Sequence, residues 1–528
     1  MSAPVPVRRS HARAIALVLL LLALAIDLSS MWRMSQTYDE PNHLRFGQHF
    51  LKDADLSAWN QSAPVSALNA LSLAAGRRLG LATSPRAELL LSRLPTVCLS
   101  LVLAALVFRW SSELYGALGG VISLGLYVFD PNVIAHSRVV GTDLPAALMM
   151  LASVYLFVRY LKTPSAGNLA LAALATGFAQ LTKQTALLLF PVFLVLVILR
   201  VAGRRRAPAS IPSAPIPCGG KRIALHAVLF GLIVLAVLNA GYGFRSSLTT
   251  GRHLPIISQA PSGGQYETVV RSFPDLPIPL PNAYVESLII GSYYNSTGRG
   301  HGPNYLLGQR SQMGWWYYFP VAVGLKTPLA LFVALALSFF LPKKAAPADR
   351  IDEAAIGLSV ASVFLFFTLF CTAQIGIRYL LPMFPFLCVF CGRLGSVFDT
   401  AGRGALRAAT ATALGWYVLS SLSYHPQYLS YFNELIGTRK NMYRYLADSN
   451  VDWGQNDDLL ARYLAARPRE RISVNPPGPV TGKVIVNINR LVGLDDAVAY
   501  DWLRASYQPV DQLGYSWLIY QVPERGGR

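Results

Sequence analysis

Residues 14–32, AIALVLLLLALAIDLSSMW, form an almost wholly apolar stretch near the start of the chain. The stretch is long enough to cross the hydrocarbon core of a bilayer as one helix. Arg8, Arg9 and Arg13 precede it, as in a signal sequence, but it is longer than the apolar part of a signal and no clear cleavage site follows. We therefore predict a retained membrane anchor.

The composition of the whole chain agrees with a membrane protein. Of the 528 residues, 53% are hydrophobic and 14% are charged, which is too apolar for an ordinary soluble protein. The formal net charge of +19 could suggest nucleic acid, but the basic residues cluster in short segments between apolar stretches. Because no basic, aromatic-interleaved motif accompanies them, we exclude nucleic acid as a partner and expect membrane lipids instead.

Apolar segments recur along the first four fifths of the chain and predict about eleven transmembrane helices. They lie at residues 14–32, 89–108, 116–130, 143–161, 166–181, 184–200, 223–242, 316–341, 354–372, 379–396 and 405–422. If the first helix starts inside, every cytoplasmic segment carries lysine or arginine, as the positive-inside rule requires. The pattern predicts a cytoplasmic amino terminus and an extracytoplasmic carboxyl terminus.

The same pattern predicts two domains. Residues 1–422 would form the transmembrane domain, with long outer loops at about 33–88 and 243–315. Residues 423–528 are more polar and predict a small extracytoplasmic domain of mixed α/β structure, with a helix at 457–466 and a strand at 483–489.

Two loops that we expect on the outer face carry acidic residues. Asp39 and Glu40 follow the first apolar segment, and Asp143 opens the fourth. A surface loop would tolerate these acids without any function. Carboxylates at the mouths of membrane helices are nevertheless costly to desolvate, and a second acid in a similar setting raises the expectation of a shared site.

Cations lie at the same predicted face and complete a candidate site. They are His136, Arg138, Lys183, Lys326 and Arg378, with Tyr379 beside the last. Taken singly, Arg138 and Lys183 could extend to lipid headgroups, and Lys326 could pair structurally with an acid. Taken together, cations suit a phosphate, and a carboxylate among them suits a base that removes a proton from a hydroxyl.

These residues stand in motifs that resemble a known family, the polyprenol-phosphate-sugar-dependent glycosyltransferases of family 39. The family includes protein O-mannosyltransferases and lipid A aminoarabinose transferases. The motifs are YDE at 38–40, DP at 130–131 with His136 and TD at 142–143, LTK at 181–183, YF at 318–319 with LKTP at 325–328, and IRYLLP at 377–382. In the tail, YLSYFNE at 428–434 and DSNVDWGQ at 448–455 resemble a bacterial branch of the family.

The resemblance implies a C-type glycosyltransferase fold in a bacterial inner membrane and a sugar donor carried on a polyprenyl phosphate. It implies that Asp39 is the base near the acceptor, with Glu40 beside it and Asp143 as the second site acid. Arg378, Lys183 and Lys326 would face the donor phosphate, and we add His136, Arg138 and Tyr379 to that candidate set. The acceptor would be a protein, a lipid or a glycan. Family members differ in metal use, so the metal requirement stays open.

The resemblance also exposes one departure from the family. Where relatives often carry a Pro-Pro or Lys-Pro element after the acidic pair, this chain has QSAPVS at 61–66. A basic phosphate ligand from that loop is therefore not expected, and its role would fall to Lys183 or Arg378.

Two other classes of function remain as alternatives. A transporter or flippase for lipid-linked sugars would need polar residues deep in several helices, and many transporters contain internal repeats that this chain lacks. A structural assembly subunit would not need clustered acids. The acids of the tail, Asp448, Asp452, Asp457 and Asp458, could bind a metal, but a folded polar surface is the simpler interpretation.

Overall fold

The computed structural model describes most of the chain, namely residues 9–52, 63–205, 220–245, 247–251, 254, 268, 271–298, 302–341, 350–399, 403–496 and 498–524. The described part is mostly helical, as predicted. The main helices are α1 (Arg9–Met31), α2 (Glu40–Lys52), α3 (Ala63–Arg78), α4 (Pro85–Val128), α5 (Pro131–Ser137), α6 (Asp143–Lys162), α7 (Ala166–Thr182), α8 (Leu189–Arg205), α9 (Gly220–Gly241), α10 (Asn282–Thr297), α11 (Tyr318–Lys326), α12 (Leu329–Phe340), α13 (Arg350–Phe370), α14 (Met383–Cys391), α15 (Gly395–Asp399), α16 (Gly404–Leu422), α17 (Asp457–Ala465), α18 (Ile488–Leu491) and α19 (Asp501–Ser506).

Each predicted transmembrane segment is largely helical, but two segments lie within one long helix and one segment is divided between two helices. Among the described residues, six helices are long and apolar enough to cross a membrane, or seven if one bent pair counts as a single span. The six are Ser10–Met31, Pro85–Val128, Asp143–Lys162, Gln184–Ala202, Lys221–Gly241 and Arg350–Phe370. Helices α7, α14 with α15, and α16 occupy three further predicted segments but are shorter or less apolar than these six.

Helix α4 contains two predicted segments in one element of 44 residues. At about 1.5 Å per residue it would be roughly 66 Å long, about twice the thickness of a bilayer core. Its backbone leaves the helical conformation at Gly116, where φ is 82°. A residue without Cβ adopts this angle easily, so Gly116 divides α4 between the two predicted segments.

The predicted span 316–341 is broken in the middle. Helices α11 and α12 meet at an angle of 99°. Pro328 causes the break, because a proline disfavours helical geometry in the residue before it, and Thr327 is extended there. The Asn433 side chain donates to the carbonyl of Thr327 at 2.8 Å, which satisfies a backbone group that the break leaves free.

The tail contains the mixed α/β structure that the sequence predicts. Strands β5 (Ile472–Val474), β6 (Gly482–Asn487), β7 (Asp511–Leu513) and β8 (Trp517–Val522) form one sheet in the order β5-β6-β8-β7. Strands β5 and β6 are parallel, and the other two pairings are antiparallel. Two short antiparallel pairs, β1 (Thr249–Thr250) with β2 (Pro277–Ile278) and β3 (Asn304–Leu306) with β4 (Gln309–Ser311), precede α11 in the chain.

Alternating side chains of the sheet enter two different hydrophobic clusters. Val484 and Val486 on β6 join the cluster that also contains the transmembrane helices. Ile485, between them, packs instead with Leu460 of α17 and Ile519 of β8. Since successive side chains of a strand point to opposite faces, the sheet lies between the helical bundle and α17.

Candidate active site

Glu40 forms a buried ion pair with Arg93 of α4 and also joins the two acidic loops. Both side chains are fully buried. Arg93 Nη2 donates to Glu40 Oε2 at 2.7 Å, and Arg93 Nε donates to Glu40 Oε1 at 2.7 Å. The backbone N–H groups of Thr37 and Val140 also donate to the carboxylate, at 2.8 and 2.9 Å. Glu40 therefore connects the loop before α2 with the loop before α6.

This position differs from the catalytic place predicted for Glu40. Its carboxylate accepts four hydrogen bonds and has no exposed surface. A carboxylate with all its lone pairs occupied cannot accept a proton from a substrate without losing a bond. The contacts are those of a structural anchor, which sequence alone could not distinguish because Arg93 lies 53 residues away.

Asp39, the neighbour of Glu40, has a much more open environment. Arg378 Nη1 donates to its Oδ2 at 2.9 Å, and 39% of the Asp39 side chain is exposed. Arg378 itself is 12% exposed, and its guanidinium lies over the Trp453 ring at 4.3 Å. Arg378 Nε is buried without a hydrogen-bond partner, so the site keeps one unused donor beside the acid.

Asp143 and Lys183 form a second ion pair in the same site. Lys183 Nζ donates to Asp143 Oδ1, and it also lies 4.7 Å from the centre of the Tyr379 ring. The Arg378 guanidinium lies 5.7 Å from the same ring. The Tyr379 ring therefore contacts both cations.

His43 belongs to this cluster, although the sequence analysis did not select it. It lies in the first turn of α2, where its backbone N–H donates to the backbone carbonyl of Asp39 at 3.1 Å. Burial lowers the pKa of His43 below its ordinary value, and Arg378 and Lys183 add to this effect, while Asp39 and Asp143 oppose it. The signal in the sequence was its spacing, since a residue four positions after Asp39 lies on the same helix face.

Lys326 does not occupy the predicted place at a donor phosphate. It is completely buried, and its Nζ donates to the backbone carbonyls of Leu429, at 2.8 Å, and Asn450. Asn132 donates to the carbonyl of Lys326 at 2.9 Å. Lys326 therefore fastens the broken α11–α12 pair to the tail, because a buried ammonium needs such acceptors.

His136 and Arg138 also differ from the predicted phosphate ligands. Burial lowers the pKa of His136 to about 3, so its imidazole is uncharged and supplies no cation. Its ring lies 6.0 Å from that of Trp453. Arg138 is buried, donates to the carbonyl of Pro426 at 3.0 Å and lies over the Tyr428 ring at 5.4 Å. Arg138 therefore contacts the tail and is not part of the cluster that contains Arg378 and Lys183.

The tail motif DSNVDWGQ lies directly against the site. Asn450 accepts a hydrogen bond from the N–H of Ile377 at 3.0 Å and donates to the Tyr318 hydroxyl at 2.8 Å. Asp448 lies close enough to Arg378 and Asp39 to interact with both electrostatically. These residues position Arg378, and the motif resemblance in the tail was the only sequence signal for them.

The described residues contain no group of three or more His, Cys, Asp or Glu side chains that could hold a metal ion. The sequence analysis left the metal requirement open. The charges within the described site are instead arranged as two acid–cation pairs, Asp39 with Arg378 and Asp143 with Lys183. Such a site can accept a proton at a carboxylate and stabilise an anionic leaving group at the cations.

Three solved structures are similar to the chain at low identity. They are the ArnT protein from Cupriavidus metallidurans bound to undecaprenyl phosphate, with 13% identity over 96% of this chain and 97% of that chain at a TM-score of 0.47, and its apo state, with 12% identity over 96% and 98% at 0.43. An oligosaccharyltransferase from Archaeoglobus fulgidus, tethered to an acceptor peptide, has 11% identity over 78% of this chain and 53% of that chain at 0.42.

A family model gives the more direct evidence. No curated protein matches the chain. Residues 88–216 match the family described as dolichyl-phosphate-mannose-protein mannosyltransferase. The matched segment includes Arg93, Asp143 and Lys183, but neither Asp39 nor Arg378. The match confirms, over residues 88–216, the resemblance predicted from the sequence.

Proposed function

We propose that the chain transfers a sugar from a polyprenyl phosphate to an acceptor hydroxyl at the extracytoplasmic face of a bacterial inner membrane. The observation that carries this proposal is the unused Nε–H of Arg378 next to Asp39. The family description, which names a sugar carried on dolichyl phosphate, supports a lipid-linked donor.

Asp39 is proposed as the base. Arg378 occupies its Oδ2, and the exposed part of the carboxylate leaves Oδ1 for an acceptor hydroxyl. As the acceptor oxygen attacks the anomeric carbon, its proton passes to Asp39 and the bond from that carbon to the phosphate oxygen breaks. A single displacement of this kind inverts the configuration at the anomeric carbon.

Arg378 and Lys183 are proposed as the partners of the departing phosphate. Arg378 Nε can donate to a phosphate oxygen without releasing Asp39, since a guanidinium carries five N–H donors. Lys183 can turn from Asp143 towards the same phosphate, because an ammonium has three donors on a flexible stem. Charge developing on the lipid phosphate would then be stabilised at two points.

A transfer assay tests the activity itself. Purified protein would be incubated with polyprenyl-phosphate sugars that carry a radiolabel in the sugar, together with membrane extract. We expect the label to leave the lipid and appear on a protein, lipid or glycan, with the anomeric configuration inverted when analysed by NMR. Retention of the label on the lipid with every donor would overturn the proposal, and a retained configuration would overturn the single displacement.

Reporter fusions test the proposed orientation. A reporter active only outside the cytoplasm should be active when fused after Arg528 and inactive when inserted within 204–215. This follows from the basic residues of the inner segments. The reverse pattern would put Asp39 on the cytoplasmic side and exclude the proposed face.

A further inference from the structure

A polar pocket of about 430 Å³ lies beside the candidate active site, between the tail sheet and the loop before α2. Its volume is within the range of about 300–1,000 Å³ found for small-molecule sites. We call it the tail pocket, lined among others by Tyr38, Asp457, Asn475, Asn489, Arg490 and Trp517. Tyr38, which lines the tail pocket, directly precedes the proposed base Asp39 in the chain.

The wall formed by Tyr38 has a fixed position. Its N–H donates to the carbonyl of Trp453 at 3.0 Å. Its ring lies against Gly454, where a Cβ would come within 3.1 Å of Tyr38 Cε1 and where φ is +86°. A glycine is needed at this position for both reasons, and the contact keeps the Tyr38 ring at the edge of the tail pocket.

The opposite wall is formed by asparagines that the protein itself holds in place. Asn487 donates to Asp452 Oδ2 at 2.9 Å, and Asn489 donates to the carbonyl of Asp452 at 3.2 Å. Asn475 Oδ1 accepts from the N–H of Asn487 at 2.9 Å. The polar groups are therefore preorganised, which lowers the entropic cost of binding a ligand.

Trp517 supplies an independent sign of a ligand. Its side chain lines the tail pocket, only 7% of the residue is exposed, and its indole N–H has no hydrogen-bond partner. A buried donor without a partner costs free energy, so such a group is usually satisfied by something that binds. A ligand oxygen in the tail pocket would satisfy it.

The charges of the tail pocket select against anions. Asp457 and Asp495 line it with one cation, Arg490, which already lies 3.4 Å from Asp495. Burial, together with the charges of Asp452 and Asp458, raises the pKa of Asp457 to about 6, so the carboxylate is still ionised at neutral pH. The net charge of the lining is negative, which disfavours a phosphate and suits a neutral group with many hydroxyls.

We propose that the tail pocket binds the hydroxyl groups of a neutral carbohydrate, and that the acceptor of this enzyme is a glycan. Amide and carboxylate side chains match hydroxyls, which both donate and accept hydrogen bonds. An aromatic side chain, here Tyr38, can pack against the apolar face of a sugar ring. The inference rests on the proposed transfer, because a glycan held here presents a further hydroxyl at Asp39.

Direct binding in the absence of a donor tests the proposal. The full-length protein in detergent would be titrated calorimetrically with the neutral trisaccharides mannotriose, chitotriose and arabinotriose, and with the anionic trigalacturonate. We expect at least one neutral trisaccharide to bind about fivefold or more tightly than trigalacturonate. Trp517→Phe, which keeps an aromatic ring but removes the N–H, and Asp457→Asn should each weaken that binding about fivefold.

Asp458→Asn is the matched control. Asp458 is the neighbour of Asp457 in the same exposed first turn of α17, but it pairs with Arg86 at 3.1 Å and does not line the tail pocket. Its substitution should leave the binding unchanged. Melting curves would establish that the Trp517→Phe protein is folded, and Asp457→Asn tests the same site from a surface position.

The outcomes separate this proposal from the proposed transfer. Failure of all three neutral trisaccharides to bind the folded protein, tighter binding of trigalacturonate, or binding that Trp517→Phe and Asp457→Asn leave unchanged would each overturn the glycan assignment. Binding that follows the expected pattern in a protein that transfers no sugar would support the tail pocket and contradict the transfer. Transfer only to an unglycosylated peptide would overturn the glycan as acceptor.

Discussion

Asp39 and Glu40 are neighbours in the chain, and each pairs with an arginine, but the two ion pairs have opposite properties. The Glu40–Arg93 pair is fully buried, and its carboxylate accepts four hydrogen bonds. The Asp39–Arg378 pair is partly exposed, and its guanidinium keeps a buried donor unused. An ion pair whose hydrogen-bonding groups are all occupied stabilises the fold, whereas a pair with an unused donor can still bind a substrate or react.

Removal of the charge of Asp39 should have the largest effect, and it tests whether the Asp39–Arg378 pair takes part in the reaction. We expect Asp39→Asn to lower sugar transfer by about 10²- to 10⁴-fold, because a positioned base contributes about that much. The melting temperature should change little, since the Asp39 side chain is 39% exposed. Transfer rates from a labelled donor and melting curves of the same preparation measure both quantities.

Asp458→Asn is the control for Asp39→Asn. Asp458 is also an exposed acid paired with an arginine, Arg86, but it lies outside the active site. Exposed pairs contribute about 0–1 kcal/mol, so this variant should transfer sugar like the unmodified protein. Near-normal turnover in a folded Asp39→Asn protein would contradict the role of Asp39 as the base.

Glu40→Gln should have the reverse effect, on stability before activity. Removing one partner leaves Arg93 as an uncompensated buried charge, which costs about 3–5 kcal/mol of unfolding free energy. We expect a low folded yield and a reduced melting temperature, with Glu40→Gln combined with Arg93→Met recovering part of the loss. A Glu40→Gln protein of normal stability that transfers no sugar would restore the predicted catalytic role of Glu40.

Substitutions of Arg378 test whether its unused N–H group binds the phosphate of the sugar donor. Arg378→Ala should weaken use of the donor by about 1.5–3 kcal/mol, the range for a hydrogen bond to a charged group. The loss in Arg378→Lys should be smaller than in Arg378→Ala, since an ammonium keeps the positive charge but lacks the planar N–H donors of a guanidinium. Titration of the donor at fixed acceptor measures the effect as a rise in KM, and an unchanged KM in folded Arg378→Ala would exclude the phosphate contact.

Asp448, the third acid near Arg378, gives the smallest expected effect. Burial raises its pKa to about 6 from an ordinary 3.8, although Ser449 and Arg378 oppose this. The folded state therefore holds the proton more tightly, so ionisation destabilises it progressively between about pH 4 and 6 and fully above pH 6.

Asp448→Asn removes this cost of ionisation. Two pKa units correspond to at most about 3 kcal/mol, and solvent around a half-buried side chain reduces this to about 1–2 kcal/mol. The variant should melt at a higher temperature than the unmodified protein at pH 7.5 and at the same temperature at pH 4. A lower melting temperature at pH 7.5 would mean that the ionised Asp448 stabilises the fold.

The helices were predictable because apolar length is a local property of the sequence. Residues 14–32 contain the signal for α1 without reference to any other part of the chain. Gly116 and Pro328 likewise mark the breaks in α4 and between α11 and α12 through their own backbone preferences. The contacts between the tail sheet and the bundle depend on residues far apart in the chain, and periodicity alone does not contain them.

Asp39, Asp143, Lys183, Arg378 and Tyr379 were selected from the sequence, and the structure brings them together, whereas it places Glu40 in a buried pair with Arg93. The position of Lys326 was not predictable, because the carbonyls that hold its ammonium belong to Leu429 and Asn450, more than 100 residues later. The sequence does not distinguish a buried lysine that donates to backbone carbonyls from a lysine that binds a phosphate. The roles of Asp39, Asp143, Lys183 and Arg378 stay predictions until the variants are measured.

The position of Asn450 has a consequence for how the enzyme is made. Its side chain accepts from the N–H of Ile377 and donates to Tyr318, and its carbonyl accepts from Lys326, so helix α11 and the turn at Ile377 meet at one residue of the tail. A nascent chain that has inserted every helix up to Leu422 still lacks this junction. The hydrogen bonds of Asn450 beside the loop bearing Arg378 can therefore form only after the ribosome has completed the DSNVDWGQ motif.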